Sequence, residues 1–282
     1  MLSNLFFAEV LRGLQDRMAE SEFDLLVYSA RTMNEVDTQL ERALHRGKSA
    51  GVLLFSTPVD EDRAEKLAKV GHPVVLVDSF HPDFDSISID NRRGGELATR
   101  HLVNEGCTNV ALIMASPESR PAVHRREGYE SAMSDAGLLV TENLIVVGAD
   151  ATDHGFNELA GQKAMQALLK RGERPDGVFV TSDIQALGVL RALRLSSQNV
   201  PDDVRVIGFD DILVSKYIGL STLRQPMYEM GSAAIEKLLS RIEYPDRPTS
   251  HTVFSPKLIK RRTTLHARVD EESLIDEVSV SL

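Results

Sequence analysis

The chain has little cysteine and no long apolar run. Among its 282 residues the only cysteine is Cys107, so no intrachain disulfide can form, which favours a reducing compartment. No run of 18 apolar residues occurs, so the sequence predicts no transmembrane helix. The first residues lack the basic start, apolar stretch and small-residue cleavage site of an export signal. We therefore expect a cytoplasmic protein with no membrane partner.

The chain also lacks an excess of basic residues. Its formal net charge is -10 and its sequence pI is about 5.3. A nucleic-acid surface needs a basic patch. The overall charge leaves room for a local patch, but it argues against DNA contact as the main task of these residues.

Several chemical motifs are missing as well. The sequence contains no P-loop, no G-x-G-x-x-G after a strand and no G-x-S-x-G turn. Its eight histidines show no ligand-pair spacing, so we expect no metal and no cofactor. The adjacent Asp210 and Asp211 indicate an acid–base pair only weakly, because neighbouring residues at a strand end point in different directions. These absences favour a binding protein.

Helical and strand patterns alternate along the chain, which predicts an α/β fold with parallel sheets in two similar lobes. Phe23–Tyr28 is one predicted strand, and His251–Ile259 is the last one. The clearest unit is a strand at Gly177–Val180, a capped helix, and a strand at Val204–Phe209. Ligands of parallel sheets bind beyond the carboxyl ends of the strands. We therefore expect Ser182, Asp183 and Asp210 to lie together at that edge.

Motifs between about Ser3 and Thr264 resemble the sensor domain of the LacI/GalR transcriptional regulators, in both order and spacing. The motifs are Asn91-Arg92-Arg93-Gly94-Gly95, Arg125-Arg126-Glu127-Gly128-Tyr129, Thr181-Ser182-Asp183, Ile207-Gly208-Phe209-Asp210-Asp211 and Leu223-Arg224-Gln225-Pro226. The resemblance implies a periplasmic-binding-protein-like fold, in which two Rossmann-like lobes with parallel sheets are joined by three crossover strands and close over an effector. It places one lobe at 1–112 plus 226–250 and the other at 113–225 plus 251–265. The residues that follow, 266–282, are predicted to form an acidic tail.

The same resemblance implies a set of ligand-binding residues. Aromatic rings suit the C–H face of a sugar or the plane of a base, and Asp and Arg suit paired hydroxyls. Each residue also has a structural alternative. The aromatic residues could be part of the hydrophobic core, Arg125 could form an ion pair at a helix surface, and Asp210 could serve only to accept hydrogen bonds from backbone amides. The implied residues are Phe6, Phe7, Arg125, Phe156, Ser182, Asp183, Asp210 and Gln225.

The resemblance further implies the effector-binding, dimerising region of a repressor that responds to a sugar or a related metabolite. The alternatives are a solute-binding protein of a sugar transporter, which would need an export signal, and an enzyme acting on a sugar. Family repressors carry a helix-turn-helix head, which these residues do not contain, so we expect operator DNA to be bound only through such a head. The resemblance also begins after the family's first sensor strand, so we expect a fragment or a misplaced start.

Overall fold

The computed structural model describes residues 5–19, 21–30, 33–44, 49–148 and 154–265. The chain forms two compact units. Unit 1 consists of Met1–Asn91 and Gln225–Pro256, and unit 2 of Arg92–Arg224 and Lys257–Leu282. The chain passes between them three times. The predicted acidic tail, 266–282, lies outside the described residues.

Apart from two successive helices at its start and one pair of successive strands, helices and strands alternate through the first part of the chain. These elements are α1 (Leu5–Met18), α2 (Met33–Leu44), β1 (Val52–Phe55), α3 (Glu61–Val70), β2 (Val74–Val77), β3 (Asp85–Ile89), α4 (Asn91–Asn104), β4 (Val110–Met114) and α5 (Arg120–Asp135).

The alternation continues through the rest of the described chain. After a 3₁₀ turn the elements are β5 (Ile145–Val147), α6 (Glu158–Lys170), β6 (Gly177–Val180), α7 (Asp183–Leu195), β7 (Arg205–Ile207), α8 (Leu213–Ile218), β8 (Thr222–Arg224), α9 (Met227–Glu243), β9 (His251–Phe254) and β10 (Lys257–Ile259).

Each unit is built on a parallel sheet. The sheet of unit 1 has the strand order β1-β2-β3-β9, and that of unit 2 has the order β5-β4-β6-β7. In unit 2, β8 and β10 form a small antiparallel pair. Strands of both sheets are buried, which explains their near-continuous Val, Ile and Leu. The α/β class and the parallel sheets are confirmed.

The unit boundaries differ from those that the resemblance implied. Unit 1 ends near residue 91 instead of residue 112. Helix α4 belongs with unit 2 because it packs backbone to backbone on α5. A Cβ atom on Gly95 would lie 2.1 Å from the carbonyl oxygen of Arg125, and one on Gly128 would lie 2.0 Å from that of Arg92.

Two predicted strands are corrected by the structure. Residues 23–30, which include the strand predicted at Phe23–Tyr28, belong to no helix or strand. The single strand predicted at His251–Ile259 is divided at Pro256, with β9 in unit 1 and β10 in unit 2. Pro256 lacks an amide hydrogen and cannot continue a ladder.

Candidate functional site

The candidate site lies at the carboxyl edge of the sheet in unit 2, where β4, β6 and β7 end. The three strands are parallel and in register, so the residues that follow them lie side by side. The backbone amide of Asp183 donates to the carbonyl oxygen of Phe209 over 2.7 Å. The expectation that Ser182, Asp183 and Asp210 lie at one edge is confirmed.

Thr181 and Ser182 join β6 to α7. Ser182 has extended backbone, and its hydroxyl accepts from the amide of Gln185, which makes it the N-cap of α7. The hydroxyl of Thr181 accepts from the amide of Ala115 and donates to Oε1 of Gln185, both over 3.0 Å. These contacts hold the start of α7 against the end of β4.

Asp183 is fully buried, and its carboxylate accepts three hydrogen bonds from the segment that follows β7. The donors are the amide of Ile212 at 3.1 Å and the hydroxyls of Ser215 and Thr222, both at 2.6 Å. Burial raises the pKa of Asp183 to about 8, the charge of Asp210 adds to the rise, and the two hydroxyl donors oppose it. The side chain therefore holds residues 208–222 in place, and Gly208 leaves it room, since a Cβ there would lie 2.1 Å from Oδ1.

Asp210 and Asp211 have different environments. Asp211 pairs with Arg224 at 2.6 Å and with Arg261 at 2.7 Å, so it joins the ends of β8 and β10. Asp210 is 7% exposed and has a φ of 124°, a conformation that costs a non-glycine residue about 1–3 kcal/mol. Its amide donates to the carbonyl oxygen of Leu223 over 2.8 Å, which helps to maintain that conformation.

Arg125 projects from α5 toward the same edge and is 4% exposed. Its guanidinium carbon lies 3.6 Å from the centroid of the Phe209 ring, a cation–π contact. One terminal nitrogen donates to the carbonyl oxygen of Thr181 over 2.5 Å and lies 3.9 Å from Oδ1 of Asp210. The site thus places a buried cation beside a buried carboxylate.

Phe156 belongs to the same unit. The amide of Ser116, just after β4, donates to the carbonyl oxygen of His154 over 2.7 Å. Phe156 follows two residues later, is partly buried, and packs on the core cluster that contains Phe209. The structure therefore places Arg125, Phe156, Ser182, Asp183 and Asp210 in unit 2, where Arg125 bonds Thr181 and lies 3.9 Å from Asp210.

The other three predicted residues belong to unit 1. Phe6 and Phe7 are in the first turns of α1, with ring centroids 5.7 Å apart, and Phe7 also contacts Phe55 at 5.6 Å. Both are largely buried, as the core interpretation requires. Gln225 is 5% exposed, and its carbonyl oxygen accepts from the amide of Met227.

Sequence reasoning missed the residues that support the site. The ring of Phe209 packs against the guanidinium of Arg125, and the hydroxyls of Ser215 and Thr222 donate hydrogen bonds to the carboxylate of Asp183. These partners are up to 84 residues away in sequence from the groups that they hold, and no local pattern connects them. The available signal was the place of Phe209 directly before Asp210, at the end of a parallel strand.

Within the described residues no cluster of His, Cys, Asp and Glu could hold a metal ion. No helix in that part of the chain has the length and apolar character needed to span a bilayer.

Residues 99–264 match the family described as periplasmic binding protein-like domain. The ribose operon repressor of Escherichia coli is 32% identical over 264 residues, which are 92% of this chain and 78% of the repressor. The chain belongs to the LacI/GalR family. Catabolite control protein A of Priestia megaterium is 29% identical over 93% of this chain and 78% of its own length.

Solved structures of LacI/GalR regulators have the same fold. The complex of the transcriptional regulator CelR with cellobiose superposes with a TM-score of 0.84, at 28% identity, over 93% of this chain and 80% of that one. A LacI family regulator from Enterococcus faecium with bound ribose gives 0.82 at 26% identity, over 93% and 95%. The ribose operon repressor and these two structures are named as a repressor and as transcriptional regulators, which supports a regulator and not a transporter binding protein.

Proposed function

We propose that this chain is the effector-binding region of a LacI/GalR repressor, and that a sugar or a related polyhydroxy metabolite binds at the carboxyl edge of unit 2. The observation that carries the proposal is the buried pair of Arg125 and Asp210, whose charged atoms lie 3.9 Å apart. Neighbouring hydroxyls of a sugar are both donors and acceptors. A carboxylate takes the donated hydrogens, and a guanidinium donates to the oxygens.

The remaining residues of the cluster have supporting roles in this proposal. Phe156 supplies an aromatic surface for the C–H face of a sugar. Ser182 caps α7 and brings a hydroxyl to the edge. Asp183 positions residues 208–222, because its carboxylate accepts its three hydrogen bonds from that segment. The contacts predicted for Phe6, Phe7 and Gln225 stay predictions, to be tested by separate variants.

We favour binding without catalysis. Of the adjacent pair Asp210 and Asp211, Asp211 is paired with Arg224 and Arg261. Asp183 is a further carboxyl group near Asp210, and its pKa is raised to about 8. However, Asp183 is 0% exposed and bonded to its own chain. A catalytic acid must reach the reacting group. Incubation with each bound sugar, followed by chromatography, should recover the sugar unchanged.

The regulator assignment carries further expectations. We propose a homodimer in solution, with operator contact made through a helix-turn-helix segment beyond the 264 matched residues, and a cytoplasmic protein that can reach its DNA. These 282 residues have a formal net charge of -10. A negative charge fits an effector-binding domain better than a DNA-binding surface, which needs a basic patch. Sedimentation velocity tests the dimer.

Titration calorimetry tests the binding site, with ribose and cellobiose as the first probes because the two structural relatives hold them. Loss of a polar partner in a buried site costs about 1–3 kcal/mol, so Arg125→Ala and Asp210→Asn should each weaken binding about 5- to 150-fold. Arg126→Ala and Asp135→Asn are the matched controls, because both residues form ion pairs nearer the surface. A sugar that binds all four variants with equal affinity would show that the cluster is not its site.

A further inference from the structure

The side chain of Gln185 is buried at the start of α7 and is satisfied at one end only. It is the third residue of that helix and is 0% exposed. Its amide oxygen accepts from the hydroxyl of Thr181 over 3.0 Å and from that of Ser182 over 3.1 Å. Its amide nitrogen has no hydrogen-bond partner among the described residues. A buried polar group without a partner needs an explanation.

Stability of the helix start does not explain this side chain. In a capping box, the residue three positions after the N-cap accepts from the backbone amide of the N-cap residue. Here the oxygen of Gln185 accepts from two side-chain hydroxyls. A methionine has a similar length and helix preference, and it would bring no unpaired NH₂ group into the interior. What glutamine adds is therefore the acceptor that it offers to Thr181 and Ser182.

This acceptor fixes the direction of both hydroxyl groups. A serine or threonine hydroxyl has one hydrogen to donate and two lone pairs. Ser182 donates its hydrogen to the side chain of Gln185 and accepts from the backbone amide of the same residue. Thr181 donates its hydrogen to Gln185 and accepts from the amide of Ala115. Each hydroxyl therefore keeps one lone pair and has given away its hydrogen.

The two hydroxyl residues are part of the proposed sugar site. The carbonyl oxygen of Thr181 accepts from the guanidinium of Arg125 over 2.5 Å, and Arg125 lies 3.9 Å from Asp210. Ser182 is the next residue and is among those predicted to contact the ligand. The side chain of Gln185 thus acts on the polar edge from one layer further inside.

We propose that Gln185 is a positioning residue that sets the hydrogen-bond selectivity of the sugar site, an inference that rests on the proposed function. Because the Gln185 oxygen takes the hydroxyl hydrogen of Ser182, Ser182 meets a sugar only as an acceptor. The sugar group that faces Ser182 must then be a donor, as a hydroxyl is and as a fluorine or a methoxy group is not. The site selects sugars whose hydroxyl at this position is unmodified.

Titration calorimetry tests the selectivity with ribose or cellobiose, and with analogues of the same sugar in which one hydroxyl is replaced by fluorine. The position that faces Ser182 is the one whose fluorine penalty disappears in Ser182→Ala. At that position, fluorine should weaken binding to the wild type about 10-fold. Gln185→Met should reduce this penalty to about 2-fold or less, because the freed hydroxyl of Ser182 can turn its hydrogen toward the fluorine.

Two further variants separate the acceptor from the volume of the side chain. Gln185→Glu keeps an oxygen that can accept from both hydroxyls, whether the carboxyl group is ionised or protonated, so it should keep the wild-type penalty. Gln166→Met makes the methionine substitution at a half-buried position of α6 and should keep it as well.

The selectivity proposal and the proposed function fail in different ways. Equal fluorine penalties in wild type and Gln185→Met overturn the selectivity proposal. So does a reduced penalty in Gln185→Glu, and so does the absence of any position that responds to Ser182→Ala. The proposed function fails separately, when Arg125→Ala and Asp210→Asn bind the sugar as tightly as the wild type.

Hydrogen exchange tests the positioning without a sugar. The amide of Ala115 donates to the hydroxyl of Thr181, so loss of the Gln185 oxygen should free that hydroxyl. Exchange of the Ala115 amide in Gln185→Met should then be about 10-fold faster relative to that of Leu112, which is buried in the middle of β4. Unchanged relative exchange overturns the proposal even where neither sugar binds. A Gln185→Met chain that does not fold would show that the side chain serves the fold itself, and would also overturn it.

Discussion

Replacing Asp183 by Asn should change how the stability of the protein depends on pH. The carboxyl group of Asp183 is buried completely, and its pKa is raised to about 8 from an ordinary value of 3.8. At neutral pH the folded protein therefore keeps a proton on Asp183 that the unfolded chain releases. Asn cannot titrate, but its amide oxygen can still accept from Ile212 and Ser215, and its NH₂ group can donate to the hydroxyl of Thr222.

The sign of the effect follows from proton binding. Below about pH 4 the group is protonated in both states, so it does not change how the free energy of unfolding depends on pH. As the pH rises from about 4 to about 8, the folded state holds more protons than the unfolded state, so the free energy of unfolding falls by up to about 1.4 kcal/mol per pH unit. Over the full interval the loss is on the order of 5 kcal/mol. Above about pH 8 the contribution of Asp183 to the free energy of unfolding no longer changes with pH.

Urea unfolding of the wild type and Asp183→Asn at several pH values measures this contribution. The stability of the variant relative to wild type should improve by about 2–3 kcal/mol between pH 5 and pH 7. Asp135→Asn is the control, because it is the same substitution at an exposed residue, paired with Arg100. Parallel profiles for wild type and Asp183→Asn would mean that Asp183 is already ionised in the folded protein, and the reasoning would be wrong.

Two further predictions concern packing and a buried ion pair. Gly188→Ala should lower the free energy of unfolding by about 3 kcal/mol in urea melts, because its Cβ would lie 1.9 Å from the carbonyl oxygen of Glu158. Gly137→Ala, with φ of 69° and open space around it, should cost only about 1 kcal/mol. Arg241→Ala should cost about 2–4 kcal/mol at pH 7, because it removes a 2.9 Å bond to the buried carboxylate of Asp85. Burial raises the pKa of Asp85, but the hydrogen bonds that it accepts, that from Arg241 foremost, bring it below its usual value. The cost should therefore shrink in melts below about pH 4; equal costs at pH 3 and pH 7 would contradict this.

The meeting of Ser182, Asp183 and Asp210 could be predicted because it depends on topology alone. A strand–helix–strand unit makes its two strands parallel, and parallel strands end at one edge. Contacts such as that of Arg125 with Phe209 could not be predicted in this way. The two residues are 84 positions apart in sequence, and only the packing of α5 on the sheet brings them together.

Residues 23–30 show that a high strand propensity alone does not predict a strand. Phe23, Leu25, Val27 and Tyr28 have a high preference for strands, and the prediction used that preference. A strand, however, exists only where a neighbour supplies its hydrogen bonds, and β-propensity depends on that context. Among the described residues this neighbour is missing, so the segment forms no strand.

Two features near Asp210 lower the stability of unit 2: the positive φ of Asp210 itself and the burial of the Asp183 carboxyl group. The φ of 124° at Asp210 costs about 1–3 kcal/mol, and the raised pKa of Asp183 means that an unpaired negative charge there would be costly. Both costs follow from fixing residues 208–222 against the start of α7. In return the carboxylate of Asp210 is oriented beside Arg125 before any ligand arrives, so less ordering remains to be done on binding. A variant that relaxes this segment, such as Asp183→Ala, should therefore weaken sugar binding even though Asp183 is fully buried. A calorimetric affinity equal to wild type in folded Asp183→Ala would show that this positioning does not contribute.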